Sequence, residues 1–368
     1  MDRTGIAELP LHYGEAPYWL FSRMVKLAKP IVTVIVDEFG TDEFLNRISD
    51  TYWFQSLGCV LGFDWHSSGV TTVVTGVLKE AINQERHGIA VCGGKGAASK
   101  RAPQEIERSC EALNLSSKTM NELIHASKMT AKIDSVAIQS GHPLYHHTIF
   151  VSDKSRWAVI QQGMNTTDRT ARRYHWFSEG CRSFIVEPHR AIVGDRKIEK
   201  VLNLTSRDSN GCRDVITDLA KEDPRRTIRT LKSLRPKYQS SLEGWLLNKL
   251  PSQHQIEYLK LPSKINWEAL RKSYEAQVKS FEEFISIQGV GPATFRGLAR
   301  ISELVYGEKP SWKDPIKYSF AFGGKDGVPF PVDRKAMDEA INFLEETIRN
   351  SKLRNKEKIQ MLGRLKRA

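Results

Sequence analysis

Five short apolar runs follow one another between residues 135 and 189: "SVAIQ", "HHTIFV", "RWAVIQQ", "RYHWF" and "SFIVEPH". Their length and their β-branched and aromatic content predict strands. The "VSDKSRW" between two of them has hairpin chemistry, with Asp153 and Ser155 at the turn. Past about residue 205 no such run recurs, and the apolar residues fall instead at helical spacing. The fold class that follows is mixed, α+β. An N-terminal α/β domain with a mainly β-strand core (residues 1–205) precedes an all-α C-terminal domain (residues 206–368).

Within the first part, Tyr18 to Val36 reads as a helix followed by a buried run, and Gly69 to Ile82 as a helix against the core. "GIAVCGGKG" reads as a strand ending in a glycine loop. Pro103 suits the first turn of a helix whose stripe is Ile106, Cys110 and Leu113, and Asn121 to Thr130 is another helix. In the second part "DVITDLA" and "RTIRTLKSL" read as short helices. Trp267, Leu270, Tyr274, Val278 and Phe281 form one long amphipathic stripe, and Met337, Ile341, Leu344 and Ile348 another. The chain closes on a basic amphipathic tail, "SKLRNKEKIQMLGRLKRA".

Charge is distributed unevenly. The net +12 divides into +2 over residues 1–205 and +10 over the remainder. A basic half favours polyanions, because each phosphate contact releases counterions. DNA is therefore the expected partner; the sequence leaves assembly into a homo-oligomer open. No apolar run approaches the roughly 18 residues that span a bilayer, and no basic region followed by a long apolar run opens the chain. Five scattered cysteines without a CxxC pair fit a reducing compartment. The expectation is a cytoplasmic protein without membrane segments.

Six of the ten histidines lie in or beside polar stretches where Asp, Gln, His and Arg stand next to bulky aromatics. Burying such groups is costly unless they serve one another or a ligand. The inventory suits phosphodiester hydrolysis. Asp64, Asp134 and Glu187, with His189, are the candidate ligands for Mg²⁺ or Mn²⁺, hard cations that favour oxygen. Asp64, His66, Lys95, Asp134, His147 and His175 are the candidate catalytic groups. Arg172 and Arg173 could steady a phosphate. Against this, Asp64 could merely cap a helix, "GGKG" lacks the P-loop spacing, and His146 and His147 must point to opposite faces of a strand.

"FISIQGVGPATFRGLARI" places Gly289 and Gly291 between two apolar helical patterns, with Pro292 where the second would begin. Both glycines are free to adopt positive φ. The unpaired amides at the second helix's start would form an anion site. Thr294, Arg296 and Arg300 could add to it. The stretch resembles the helix-hairpin-helix module, placed at about residues 275–305, which grips the DNA backbone without reading sequence. Base-excision glycosylases that use this module follow it with a Val-Asp pair before a helix, which Val332 and Asp333 resemble. Asp333, however, lies 42 residues beyond Gly291, about twice the interval usual there, and Arg334 departs from the pattern.

"LGFDWHSSGVTT", "GGKGAASKRAPQEI", "QQGMN", "ARRYHW", "EPH", "GVGPATFRGLA" and "FAFGGKDGVPFPVDR" together resemble the family numbered 763 among domains of unknown function, over nearly the whole chain. The resemblance implies a protein linked to DNA and carries no catalytic residues with it. The expectation is a DNA-processing enzyme, a metal-dependent nuclease that holds DNA through the hairpin. The alternatives are a non-catalytic DNA-binding protein and a base-excision glycosylase using Asp333.

Overall fold

The structure, a computed structural model, describes residues 18–62, 68–168, 170–194, 197–234, 265–319 and 346. The fold is α+β: an antiparallel sheet in the N-terminal half, covered on both faces by helices, with further helices in the C-terminal region. The central strands are β1 (Ile89–Lys95), β3 (Leu144–Ser152), β4 (Trp157–Asn165), β5 (Thr170–Phe177) and β6 (Ala191–Gly194). They lie side by side in that order, each antiparallel to the next. A short β8 (Tyr318–Ser319) adds to the β6 edge in parallel, and β2 (Ile138–Gln139) pairs separately with β7 (Leu202–Asn203).

Three helices cover one face: α1 (Tyr18–Ser49), α2 (Thr51–Val60) and α3 (Ser68–Ala81). Their apolar side, including Met24, Ile31, Phe44, Phe54, Val70 and Val74, packs on Phe150, Ala158 and Ile160. α1 is longer than its apolar spacing predicts. It runs through Pro30 to Ser49 and turns sharply at Gly40, whose φ is +85°. The short α4 (Gln84–His87) leads into β1.

The opposite face carries α5 (Ala102–Ala112) and α6 (Ser117–Lys132). Ser116 caps α6 through its side chain. The helices beyond residue 205 join the same core: α7 (Asn210–Lys221), α8 (Pro224–Leu234), α9 (Trp267–Ala276), α10 (Phe281–Ser286) and α11 (Pro292–Val305). One continuous apolar cluster contains Cys92, Ile149 and Val159 from the sheet together with Ile216, Leu270, Phe284 and Phe295. The two halves of the chain thus share one interior.

Three elements differ from the sequence reading. "SVAIQ" is mostly a wide π-type turn, Ile133–Ala137, that extends α6. "SFIVEPH" forms bends, because Glu187 sits at φ +46° and Pro188 has no N–H to give a ladder. The stripe from Trp267 to Phe281 breaks into α9 and α10 at Gln277, which is left-handed. The stripe from Met337 and the basic tail lie outside the described residues. No helix among the described residues is long and apolar enough to cross a membrane.

The segment after α11 is tied back to the sheet by a buried ion pair. Arg172 of β5 meets Asp314 with both ends of its guanidinium, one contact at 2.8 Å. The carboxylate also accepts the backbone N–H groups of Ile198, at 2.7 Å, and Ile316, at 3.1 Å. All its lone pairs are directed at donors, as a buried charge requires. Removing one partner leaves the other charged and desolvated. We expect Asp314→Ala to cost about 3–5 kcal/mol in urea unfolding. Combining it with Arg172→Met should recover a large part of that loss.

Candidate functional site

Strand alternation sorts the polar residues of the sheet onto its two faces. Paired positions run His147–Gln161–Tyr174 across β3, β4 and β5, and, one residue over, His146–Gln162–Arg173. The predicted constellation is therefore two clusters with the sheet between them.

On the α6 face the centre is Asp134, buried in the π-type turn. Its carboxylate accepts from the Gln161 amide of β4, from Trp176 Nε1 of β5 at 2.9 Å, and pairs with His189 Nε2. Gln161 donates its amide to Asp134 and to the Thr130 carbonyl, so its oxygen is left facing His147 Nδ1 at 2.7 Å. Nδ1 must then carry the proton. His147 Nε2, in turn, accepts from the Ser127 hydroxyl at 2.9 Å. A continuous polar chain thus crosses the interior from α6 to His189 with every member satisfied.

On the α1–α3 face, His146 Nε2 lies 3.0 Å from both Thr75 Oγ1 and Thr148 Oγ1. Gln162 accepts from Thr71 and donates to the Tyr145 hydroxyl. Arg173 stacks over the Phe54 ring at 4.6 Å, and His175 meets that ring edge-on. The glycine loop at the end of β1 is held by Glu105, which accepts the Gly93 N–H and the Lys79 ammonium. Gly93, at φ +93°, could not carry a side chain, since a Cβ would fall 2.3 Å from the His147 carbonyl oxygen.

The third feature is the turn between α10 and α11. Ser280 caps α10, the chain turns over Ile287–Gly291, and Pro292 opens α11. Val290 is buried and anchors the turn, whereas Gln288, Gly289 and Pro292 are exposed. Three carbonyls here are held from behind. Asn266 Nδ2 donates to Gly289 O at 3.2 Å, Lys132 Nζ to Val290 O at 2.9 Å, and Gln139 Nε2 to Pro292 O at 2.8 Å. The N–H groups of Gly289, Gly291 and Ala293 make no hydrogen bond among the described residues. Gly289 has φ +92°, and a Cβ there would meet Asn266 Nδ2 at 2.7 Å. Gly291 is extended rather than left-handed, at φ −137°, and a Cβ on it would meet nothing within 4 Å. Packing therefore requires the first glycine and not the second.

The predicted residues fall as follows. Asp134, His147 and His189 converge on the α6 face, and Arg173 and His175 on the other. Glu187 stands apart, half-exposed and 3.2 Å from Arg207. Lys95 is exposed at the strand end. Asp64, His66 and Asp333 lie outside the described residues. Among the described residues no group of three or more His, Cys, Asp or Glu is placed to hold a metal ion. Around the hairpin, Thr294 is buried, and Arg300 is buried over Trp312 and paired with Glu303 at 2.8 Å, so both are turned inward. Arg172 is likewise committed to Asp314. Arg296 remains half-buried beside the turn, its Nε on Gln139 Oε1 at 2.9 Å. Sequence reading missed Lys132, Gln139 and Asn266, which reach the turn from other elements and carry no local signal.

Burial holds five histidines below the ordinary imidazole value: His142 at about 4, His146 at about 3, and His87, His147 and His175 also lowered. The unfolded chain protonates these groups near pH 6.5, while the folded chain resists until far lower pH. Their contribution is thus intact above about pH 6.5 and lost as pH falls toward the depressed values. Each can remove up to ~1.4 kcal/mol per pH unit. Urea midpoints should therefore drop steeply between pH 7 and about pH 4.5; a flat profile would contradict neutral, buried imidazoles.

A family model described as "Protein of unknown function (DUF763)" matches residues 5–332. No curated protein and no solved structure matches the chain.

Proposed function

The chain belongs to the DUF763 family of proteins of unknown function, and we propose that it binds nucleic acid by the sugar–phosphate backbone, through the turn between α10 and α11. One observation carries this reading: an exposed turn whose carbonyls are tied down from behind and whose amides at Gly289, Gly291 and Ala293 have no partner among the described residues. Amides so arranged at the positive end of a 14-residue helix suit a phosphate oxygen. Lys132 and Arg296 flank the turn and add positive charge. Gly291 supports the reading further. Packing does not demand a glycine there, but a polyanion approaching the backbone closely would.

The reading is of DNA held without regard to sequence, since amides and guanidinium groups on phosphates carry no base information. Hydrolysis by a metal-dependent site drawing on Asp64, Asp134, Glu187 and His189 would be an activity added to this binding. Asp134 supports it least, because its oxygens already accept from Gln161, Trp176 and His189. That arrangement suits a carboxylate holding the interior together.

Fluorescence anisotropy with labelled duplexes of two unrelated sequences tests the proposal. Both should bind with similar affinity and weaken as salt rises. Arg296→Gln should weaken both alike and reduce the salt slope by about one. Absence of binding at low salt, or affinity indifferent to Gly291→Glu, would refute it. Parallel incubation with Mn²⁺ reads out strand cleavage.

A further inference from the structure

Helix α8 holds the basic residues Arg225, Arg226, Arg229 and Lys232 and no acidic one. Helical periodicity sets its charged side against its packed side. Thr227 and Leu231 are buried, and Leu231 joins the apolar cluster shared with the sheet. Arg225 and Arg229, one turn apart, lie on the opposite side and are exposed. Arg226 is exposed too, but it is paired with Glu222 at 3.6 Å. Arg225 and Arg229 make no ion pair among the described residues. The Arg229 guanidinium donates only to the Arg225 carbonyl there, from Nε at 3.5 Å.

Two local rules are broken on this helix. Cations in a first turn oppose the positive end of the helix dipole, and Arg225 and Arg226 stand in the first turn of α8. Like charges four residues apart repel along a helix, as Arg225 and Arg229 must. The nearby Asp223 accepts the Arg225 backbone N–H at 2.9 Å, so it caps the helix instead of pairing with a guanidinium. Local rules broken without internal compensation mark a surface kept for something outside the fold. The position of α8 is also fixed. It packs against α9 and α11, the two helices that meet at the Gly289–Gly291 turn through Asn266 and Pro292. With α11 only ~21 Å long, α8 and the turn lie within roughly one turn of a duplex, ~34 Å.

We infer that the Arg225–Arg229 face of α8 is a contact surface for the phosphate backbone of DNA, additional to the turn. The inference rests on the nucleic-acid reading above and extends its footprint. Charge complementarity selects the partner, since planar guanidinium forks match phosphate oxygens bidentately. A lipid surface is disfavoured, because the packed side of α8 is turned to the core and not to acyl chains. Two separated backbone contacts also fix the direction of a bound duplex, which a single turn does not.

The experiment is fluorescence anisotropy of the full chain with a labelled duplex of about 25 base pairs, a little over two helical turns, across a range of salt. The double variant Arg225→Gln, Arg229→Gln should bind about tenfold more weakly at low salt, and its salt slope should fall by about two, one for each phosphate contact. Its melting temperature should equal or exceed that of the unsubstituted chain, because the removed charges oppose the helix dipole and each other. A lower melting temperature marks a structural role and overturns the inference. Gly291→Glu separates the two surfaces. Weakening by Gly291→Glu with none from the α8 variant overturns the inference and leaves the turn standing. Weakening by the α8 variant with none from Gly291→Glu supports α8 and removes the turn from the interface. No binding by the unsubstituted chain at low salt overturns both. Vesicles of phosphatidylcholine and phosphatidylserine give the comparison: tighter binding to them than to DNA, lost in the α8 variant, assigns the face to a membrane and overturns the inference.

Discussion

The arrangement of the interior depends on the carboxylate of Asp134. It is buried, and three donors from β4, β5 and the loop before β6 converge on it. A charge in that position is tolerable only with its lone pairs filled. Filling them fixes more than Asp134 itself. The Gln161 amide can point only one way, so His147 has one tautomer, and the Ser127 hydroxyl has one acceptor. Three strands and the end of α6 are locked in register by a polar chain in which each orientation determines the next. Apolar packing alone would leave that register less strictly specified.

The same logic unites the two halves of the chain. Helices beyond residue 205 bury Ile216, Leu270, Phe284 and Phe295 against the cluster that contains the sheet's own Ile149 and Val159. The segment after α11 then returns to pair with β6 and to place Asp314 on Arg172. The hairpin turn is therefore held by the sheet domain: Lys132 and Gln139, at the end of α6 and just beyond it, tie its carbonyls. In the binding role proposed above, a turn braced from behind would not have to order itself on a phosphate, which would lower the cost of association.

Much of the element content was legible from the residues. β1, β3, β4 and β5, and helices α5, α6, α7 and α8, follow from apolar periodicity and from Pro103 at a first helical turn. The misreadings share one cause. "SVAIQ" has strand composition, but its first three residues belong to the wide turn Ile133–Ala137 and only Ile138–Gln139 form a strand, β2. "SFIVEPH" has strand composition but is bent at Glu187 and Pro188, and the Trp267 stripe hides a break at Gln277 that only the left-handed backbone reveals. Composition states what a segment could bury. It does not state what lies opposite.

The candidate sites divide along the same line. The sequence by itself determined that polar residues crowd the strands, that His146 and His147 face opposite ways, and that Gly289 and Gly291 are both free to adopt positive φ, because side-chain alternation and glycine sterics are local. Only the tertiary structure decided that Asp134 joins His189 and not Glu187, that Thr294, Arg300 and Arg172 turn inward, and that His146, Gln162 and Arg173 line up across the sheet. Those outcomes rest on strand register and on helix placement, which are set by contacts between residues far apart in the chain. A charge finds its partner only after the backbone has brought the two together.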